Sequence, residues 1–211
     1  KPVPLSIPGR TMTPAICWEA NAFTLTGFPV DPDNPPTFAD FFDPAPAHAG
    51  QPVYRLLADG HWQRIAAPNA EQMNEGEAYW VYAVGGSEFV SPLWVKAPSS
   101  RGLDFGTLIT QELIEFRNLS DHAVNIRVSE VTDPDDLPLS YGQVDTTSPQ
   151  GEGLGLFEWP NLVSVWLAAD AGGPQSVILA VRRSELLTPL ASMIEVKDGF
   201  GRNYLLPRSL A

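Results

Sequence analysis

Acidic residues in two short proline-containing segments form the most specific metal-binding pattern in this sequence. Asp31 and Asp33 stand in one segment, and Asp133, Asp135 and Asp136 stand in the other. Each segment brings hard oxygen donors together, and Ca²⁺ takes about six to eight such donors. Neither segment completes the EF-hand pattern, and Asp-Pro-Asp also favours a simple turn. Two interpretations follow, a structural calcium site and a solvated turn.

Aromatic residues form the second chemical pattern, because the chain holds six tryptophans. Trp80 and Tyr82 alternate along one strand-like run and therefore share a face, while Tyr79 takes the other face. Exposed aromatic rings stack on sugars in carbohydrate-binding modules, whereas buried rings form the core of a small domain. We expect Trp80, together with Trp62 across a hairpin, to belong to the core.

A long segment rich in proline, glycine and aspartate, residues 132–161, is predicted to be a surface loop. Long loops often carry binding residues. Trp159 lies near the end of this segment and is the tryptophan that we expect to be partly exposed. The sequence therefore predicts that Tyr141, Phe157 and Trp159 contact a partner protein.

Residue patterns typical of enzymes do not occur in the sequence. His48, His61 and His122 lie far apart, so local spacing gives no zinc site, and we expect all three in exposed loops or turns. No Gly-x-Ser-x-Gly or Gly-Lys-Ser/Thr motif is found. A glycosidase would need two carboxylates facing each other across a cleft, which no sequence pattern shows. We predict a protein that is not an enzyme and that uses no cofactor apart from the calcium considered above.

Charge and composition exclude several classes of partner. The chain has 13 Lys+Arg against 25 Asp+Glu and a net charge of −12, which repels nucleic acid and anionic lipid. No apolar run approaches the roughly 18 residues of a membrane-spanning helix. Cys17 is the single cysteine, so no disulfide forms within the chain. We expect Cys17 to be buried as a small apolar residue.

The elements that position these residues are mostly strands. Alternating β-favouring runs recur along the chain and are separated by turn signals such as Asp59-Gly60. Thr37 and Asp40 have the spacing of a capping box, which predicts one short helix over 38–42. Strands are expected at 22–28, 53–57, 62–65, 77–84, 88–95, 108–117, 122–131, 162–168, 175–182, 191–197 and 202–206.

A polar segment at residues 96–102 is predicted to separate two domains. Residues 1–98 are expected to form a small Trp-rich β domain with one short helix and a proline-rich N-terminal arm. Residues 99–211 are expected to form an immunoglobulin-like β-sandwich with the long loop at 132–161. The predicted fold class is therefore all-β with two domains.

Two groups of residues resemble known families. The segments 103–106, 113–120 and 124–128 resemble the opening of abnormal-spindle-type immunoglobulin-like domains, and 162–207 resembles their last strands. The segments Gly-Phe-Pro-Val at 27–30 and Gly-Glu-Ala-Tyr-Trp-Val at 76–81 resemble a small β domain of bacterial secreted and surface proteins. Both families are accessory modules without catalytic residues.

These resemblances imply an exported bacterial protein in the periplasm, at the cell surface or outside the cell. They imply a structural or adhesive protein that acts as a subunit of an envelope or surface assembly through contacts with other proteins. The alternative function is a carbohydrate-binding module that holds polysaccharide on exposed aromatic rings.

Overall fold

The chain folds almost entirely into β-strands in a computed structural model, which describes residues 15–131, 139–144, 157–158, 162–169, 173–183 and 190–210. This confirms the predicted all-β class. The first elements are β1 Ala22–Thr26, α1 Phe38–Phe42, β2 Val53–Leu56, β3 Trp62–Arg64 and β4 Tyr79–Ala83. The later strands are β5 Leu93–Lys96, β6 Leu103–Gly106, β7 Gln111–Asn118, β8 Val124–Glu130, β9 Leu139–Val144, β10 Phe157–Glu158, β11 Leu162–Leu167, β12 Gln175–Val181, β13 Leu190–Lys197 and β14 Asn203–Leu210.

Helix α1 begins at the residue that the sequence predicts. The Thr37 hydroxyl accepts a hydrogen bond from the backbone N–H of Asp40 at 3.1 Å and donates one to the Asp40 carboxylate at 2.7 Å. The first N–H groups of a helix have no partner within it, so this cap satisfies one of them. Phe38, Phe41 and Phe42 are all buried, as their helical spacing predicts.

The first sheet has four antiparallel strands in the order β1-β4-β2-β3. One of its faces is covered by α1, since the Phe38 ring lies 5.2 Å from the ring of Tyr79 in β4. The hydrophobic cluster on this side also includes Phe28, Val53 and Val81. The sheet therefore has a core-facing side, which α1 covers, and an outer side.

The remaining strands form two five-stranded sheets, in the orders β10-β9-β12-β7-β5 and β11-β8-β13-β14-β6. Side chains from both sheets belong to one hydrophobic cluster, for example Ile114 and Leu179 from one sheet and Ile126 and Ile194 from the other. Alternate residues of β8 and β11 are buried and exposed, as expected for strands with one face on a core.

Two parts of the strand prediction need correction. Strand β5 begins at Leu93 rather than Glu88, and it pairs with β7. The segment 132–161 is not one continuous loop, because β9 and β10 lie within it. Strand β12 pairs with β7 on one side and with β9 on the other, so β9 satisfies backbone groups that would otherwise be unpaired.

The turn between β13 and β14 joins the two hydrophobic clusters. The Asn203 N–H donates to the Pro29 carbonyl at 3.0 Å, and the Arg202 guanidinium donates to the Val90 carbonyl. Gly201 has φ +79°, and a Cβ there would collide with the Asn34 carbonyl oxygen. Only glycine fits this close approach between the two halves of the chain.

Candidate functional site

The outer face of the first sheet carries the most distinctive surface in the described part of the chain. Phe23, Tyr54, Trp62 and Trp80 line a shallow depression of about 250 Å³. Each comes from a different strand, namely β1, β2, β3 and β4 in that order. We call these four residues the aromatic face.

Strand register explains why the four rings meet. Trp80 is the cross-strand partner of Tyr54 on one side and of Leu25 on the other. Directly opposed residues in a sheet place their side chains on the same face. Trp62 is paired with Leu56, two residues beyond Tyr54, so it also lies on this face.

The rings are close enough to interact with one another. The centroids of Trp62 and Trp80 are 5.6 Å apart, and those of Phe23 and Trp80 are 5.9 Å apart. Phe23 lies 5.7 Å from Tyr54 in an edge-to-face arrangement. These separations are typical of stabilising aromatic pairs, so the rings hold one another in place.

The expectation that Trp62 and Trp80 belong to the core is wrong. Both remain 41% exposed, whereas Tyr79 and Val81 on either side of Trp80 are fully buried. The predicted division of the strand into two faces is correct, but the face with Tyr79 is the one that α1 covers. The aromatic face is therefore a surface, and exposed apolar patches of this kind commonly mark binding sites.

The edges of the aromatic face include one cation. Arg64 is the cross-strand partner of Tyr54 and therefore lies on the same side of the sheet, beside the four residues that line the depression rather than among them. No ion pair to Arg64 is found among the described residues, although Arg55 on the opposite face lies 3.2 Å from the Glu77 carboxylate. Sequence reasoning missed Phe23, Tyr54 and Arg64, although their alternation within strands was visible.

The predicted partner-binding residues are only partly within the described chain. Tyr141 in β9 and Phe157 in β10 are paired directly across the two strands. Tyr141 is half-buried and packs against the core of the two five-stranded sheets. Trp159 lies outside the described residues. The structure thus brings Tyr141 and Phe157 together, and the partner contact itself stays a prediction.

The predicted calcium ligands are also only partly described. One carboxylate oxygen of Asp31 accepts the N–H of Asp33 at 3.0 Å, and the other lies 3.5 Å from the Lys197 ammonium. No group of three or more His, Cys, Asp or Glu side chains suited to a metal is found among the described residues. The second predicted group, Asp133, Asp135 and Asp136, lies outside them. The calcium site therefore stays a hypothesis.

Chelation tests the calcium hypothesis directly. We expect EDTA to leave the midpoint of thermal unfolding unchanged, because Asp31 already caps its own turn and pairs with Lys197. Differential scanning calorimetry with EDTA and with added CaCl₂ checks this. A midpoint that rises by several degrees in CaCl₂ would instead show a structural ion, since a ligand that binds the folded state stabilises it.

Two single-residue expectations are wrong. His48 is buried, and its ring nitrogens lie 3.2 Å from the Tyr82 carbonyl oxygen and 2.9 Å from the Ser87 hydroxyl. Burial lowers the pKa of His48. Cys17 is exposed, because Ile16 and Trp18 on either side of it pack against the core of the first sheet. His61 and His122 are exposed, as predicted.

The buried charged residues Arg208, Asp198 and Arg202 lie away from the aromatic face. Arg208 is buried and donates to Glu130 and Ser192 in the sheet containing β13 and β14. Asp198 is buried in the turn between β13 and β14, where burial raises the pKa of its carboxyl to about 7. None of these side chains lines a described cleft that also contains a second carboxylate. The contacts of each group within the fold account for its burial.

Comparisons with known proteins assign no family to this chain. A model of the ribosomal protein L9 N-terminal domain matches residues 191–211, which are about a tenth of the chain. The described part of that match is β13, β14 and their turn, which form part of a five-stranded sheet here. No curated protein sequence matches the chain. No helix among the described residues is long and apolar enough to cross a membrane.

Proposed function

We propose that this chain is a non-enzymatic adhesive module of an exported or surface-associated protein, and that it binds glycans through the aromatic face. The observation that carries the proposal is the exposure of Trp62 and Trp80 on the same side of one sheet. Of the two functions that the sequence leaves open, the carbohydrate-binding one requires exposed rings. Export and surface location rest on the family resemblances.

The chemistry of the face suits sugars. An aromatic ring carries negative charge on its face, and the C–H groups on the apolar side of a sugar ring are weakly positive, so the two stack. The depression of about 250 Å³ is smaller and flatter than the pockets that enclose small molecules. A platform of this shape suits part of a long polymer better than a whole small ligand.

Sheet geometry also suits repeated stacking. Phe23, Trp80, Tyr54 and Trp62 lie on four adjacent strands. Trp80 and Tyr54 are direct partners, whereas Phe23 and Trp62 lie two residues to either side of that pair, so the rings extend diagonally across the sheet. The mutual ring contacts limit side-chain motion before a ligand arrives. Binding then costs less side-chain entropy than it would for isolated tryptophans.

Tryptophan fluorescence tests the proposal. We expect the emission of the protein to shift when a matching polysaccharide is added from a panel, and Trp80→Ala to weaken binding about 30-fold, as for a central hot-spot residue. Trp166→Ala is the matched control, because Trp166 is 64% exposed on β11, which belongs to a different sheet. Equal affinities of Trp80→Ala and the unmodified protein would refute the proposed site.

Contacts with other proteins form a second candidate function. The backbone pairing of Phe157 with Tyr141 favours this function. It places two residues of the predicted partner site opposite each other on neighbouring strands. Strand β10 is also the terminal strand of its sheet, and terminal strands present backbone groups that another chain can bind. In this case Tyr141→Ala would weaken partner binding and leave polysaccharide binding unchanged.

A further inference from the structure

We infer that Arg64 makes the aromatic face selective for glycans that carry carboxylates, with the guanidinium binding a carboxylate while neighbouring sugars stack on Tyr54, Trp80 and Trp62. This inference rests on the proposed glycan-binding function and adds the chemical class of the ligand.

Arg64 occupies the end of a row of side chains that crosses the sheet. Leu25, Trp80, Tyr54 and Arg64 are successive cross-strand partners on β1, β4, β2 and β3. Strand β3 is the terminal strand of the sheet. A ligand that lies over Trp80 and Tyr54 along this row therefore reaches Arg64 next.

The charge of Arg64 is not neutralised within the described chain, although acidic residues outnumber basic ones by 25 to 13. Some other cations have acidic partners, for example Arg55, which lies 3.2 Å from Glu77, and Lys96, which lies 3.0 Å from Glu115. Arg64 is exposed and forms no ion pair with any described residue. It is therefore available to an anionic group of a ligand.

The chemistry of the guanidinium favours a carboxylate. Its planar set of N–H donors matches the two oxygens of a carboxylate and forms two parallel hydrogen bonds. A sugar polymer made of uronic acids presents such a carboxylate on each ring, next to an apolar ring face. Such a polymer satisfies the rings and the cation at once, whereas a neutral polymer satisfies only the rings.

The net charge of −12 disfavours an acidic polymer at long range, as it does nucleic acid, but physiological salt reduces this repulsion. Charges further than about 8 Å away are largely screened at 0.15 M ionic strength. The four side chains of the aromatic face are uncharged, and Arg64 is the direct cross-strand partner of one of them, Tyr54. The preference for an acidic ligand should therefore be measured at 0.15 M salt.

A matched pair of polymers isolates the carboxylate. Polygalacturonate and its fully methyl-esterified form have the same backbone, but only the first has free carboxylates; alginate serves as a second acidic polymer. At 0.15 M salt we expect the protein to bind polygalacturonate about fivefold more tightly than the ester, in line with an exposed ion pair. Arg64→Gln should bind both forms equally.

Arg127→Gln is the matched control, because Arg127 is an exposed arginine on β8 and its loss changes the net charge equally. Equal binding of the two polymer forms by the unmodified protein overturns the inference, as does an unchanged preference in Arg64→Gln. Binding to neutral polysaccharides alone also overturns it but leaves the proposed function intact. If no polysaccharide binds, both fail.

Self-association is the remaining outcome that contradicts the inference. Light scattering would then show a dimer for the unmodified protein and a monomer for Trp80→Ala. A second copy of the chain, rather than a glycan, would occupy the aromatic face. A monomer in both cases is the result expected here.

Discussion

Replacing Glu130 with alanine is expected to lower the free energy of unfolding by about 3–5 kcal/mol. Arg208 is almost completely inaccessible to solvent, and it donates hydrogen bonds to the Glu130 carboxylate and the Ser192 hydroxyl. Burial lowers the pKa of Arg208, but the guanidinium stays charged at neutral pH. Without Glu130 the protein therefore buries a cation that has no counter-charge.

A double variant separates the lost counter-charge from lost packing. Arg208→Met combined with Glu130→Ala removes both charges and keeps an apolar side chain of similar length. We expect it to recover most of the stability, because replacing a whole buried pair by apolar groups is often neutral. Urea denaturation measures both variants. A loss below about 1 kcal/mol for Glu130→Ala alone would show that water reaches Arg208.

Replacing Asp198 with asparagine is expected to remove a pH dependence from the stability of the protein. Burial raises the pKa of this carboxyl to about 7, despite hydrogen bonds from the backbone N–H groups of Arg202 and Phe200 and the nearby Arg202 guanidinium. The Asp31 carboxylate raises it further. The folded protein therefore binds this proton more tightly than the unfolded chain does.

The sign of the effect follows from proton linkage. A carboxyl whose pKa is raised by folding contributes stability that is present below its unfolded pKa, and this is lost as the pH rises from about 4 to about 7. The lost stability is on the order of 4 kcal/mol, because folding raises the pKa of Asp198 from the ordinary 3.8 to about 7 and a tenfold change in proton affinity corresponds to roughly 1.4 kcal/mol. Asp198→Asn keeps one acceptor oxygen but does not titrate, so at pH 8 it should be the more stable protein.

Chemical denaturation at pH 5, 6, 7 and 8 checks this prediction. Asp59→Asn is the control. Asp59 is exposed in the turn between β2 and β3, and its substitution removes the same formal charge as Asp198→Asn. Its stability should follow that of the unmodified protein at every pH. Parallel curves for Asp198→Asn and the unmodified protein would mean that Asp198 is ionised in the folded state throughout this range.

Local features of the fold could be predicted because short-range physics determines them. The Thr37 cap and three phenylalanines at helical spacing define α1 without reference to the rest of the chain. The Asp59-Gly60 turn defines the β2–β3 hairpin in the same way, and Gly60 has the positive φ that such turns require. The alternation along β4 also predicted which of its residues share a face.

Long-range packing determined the features that could not be predicted. Both faces of β4 are apolar, so the sequence gives no means of deciding whether Tyr79 or Trp80 points to the core. The position of α1 decides it, because its phenylalanines cover the Tyr79 side. Strand β9 was missed for a similar reason, since its six residues form a strand by pairing with β12, which is distant in sequence.

The candidate site was partly visible in the sequence. The sequence predicts that Trp62 and Trp80 lie together across a hairpin. Their rings are 5.6 Å apart, but β2 lies between their strands, so the proximity is correct and the hairpin is wrong. Phe23, Tyr54 and Arg64 join them only because β1 and β2 both pair with β4 and because β3 pairs with β2. Such pairing of distant strands is not encoded in any local pattern.

The indole N–H signals of the tryptophans in a ¹H–¹⁵N NMR spectrum test the central claim most directly. Six tryptophans give six signals, assigned by single substitutions to phenylalanine. On addition of a bound polysaccharide we expect the signals of Trp62 and Trp80 to shift. Trp18 should not shift, because its N–H donates to the Phe89 carbonyl within the core. Shifts at Trp94 or Trp166, with Trp62 and Trp80 unchanged, would contradict the aromatic face as the binding surface.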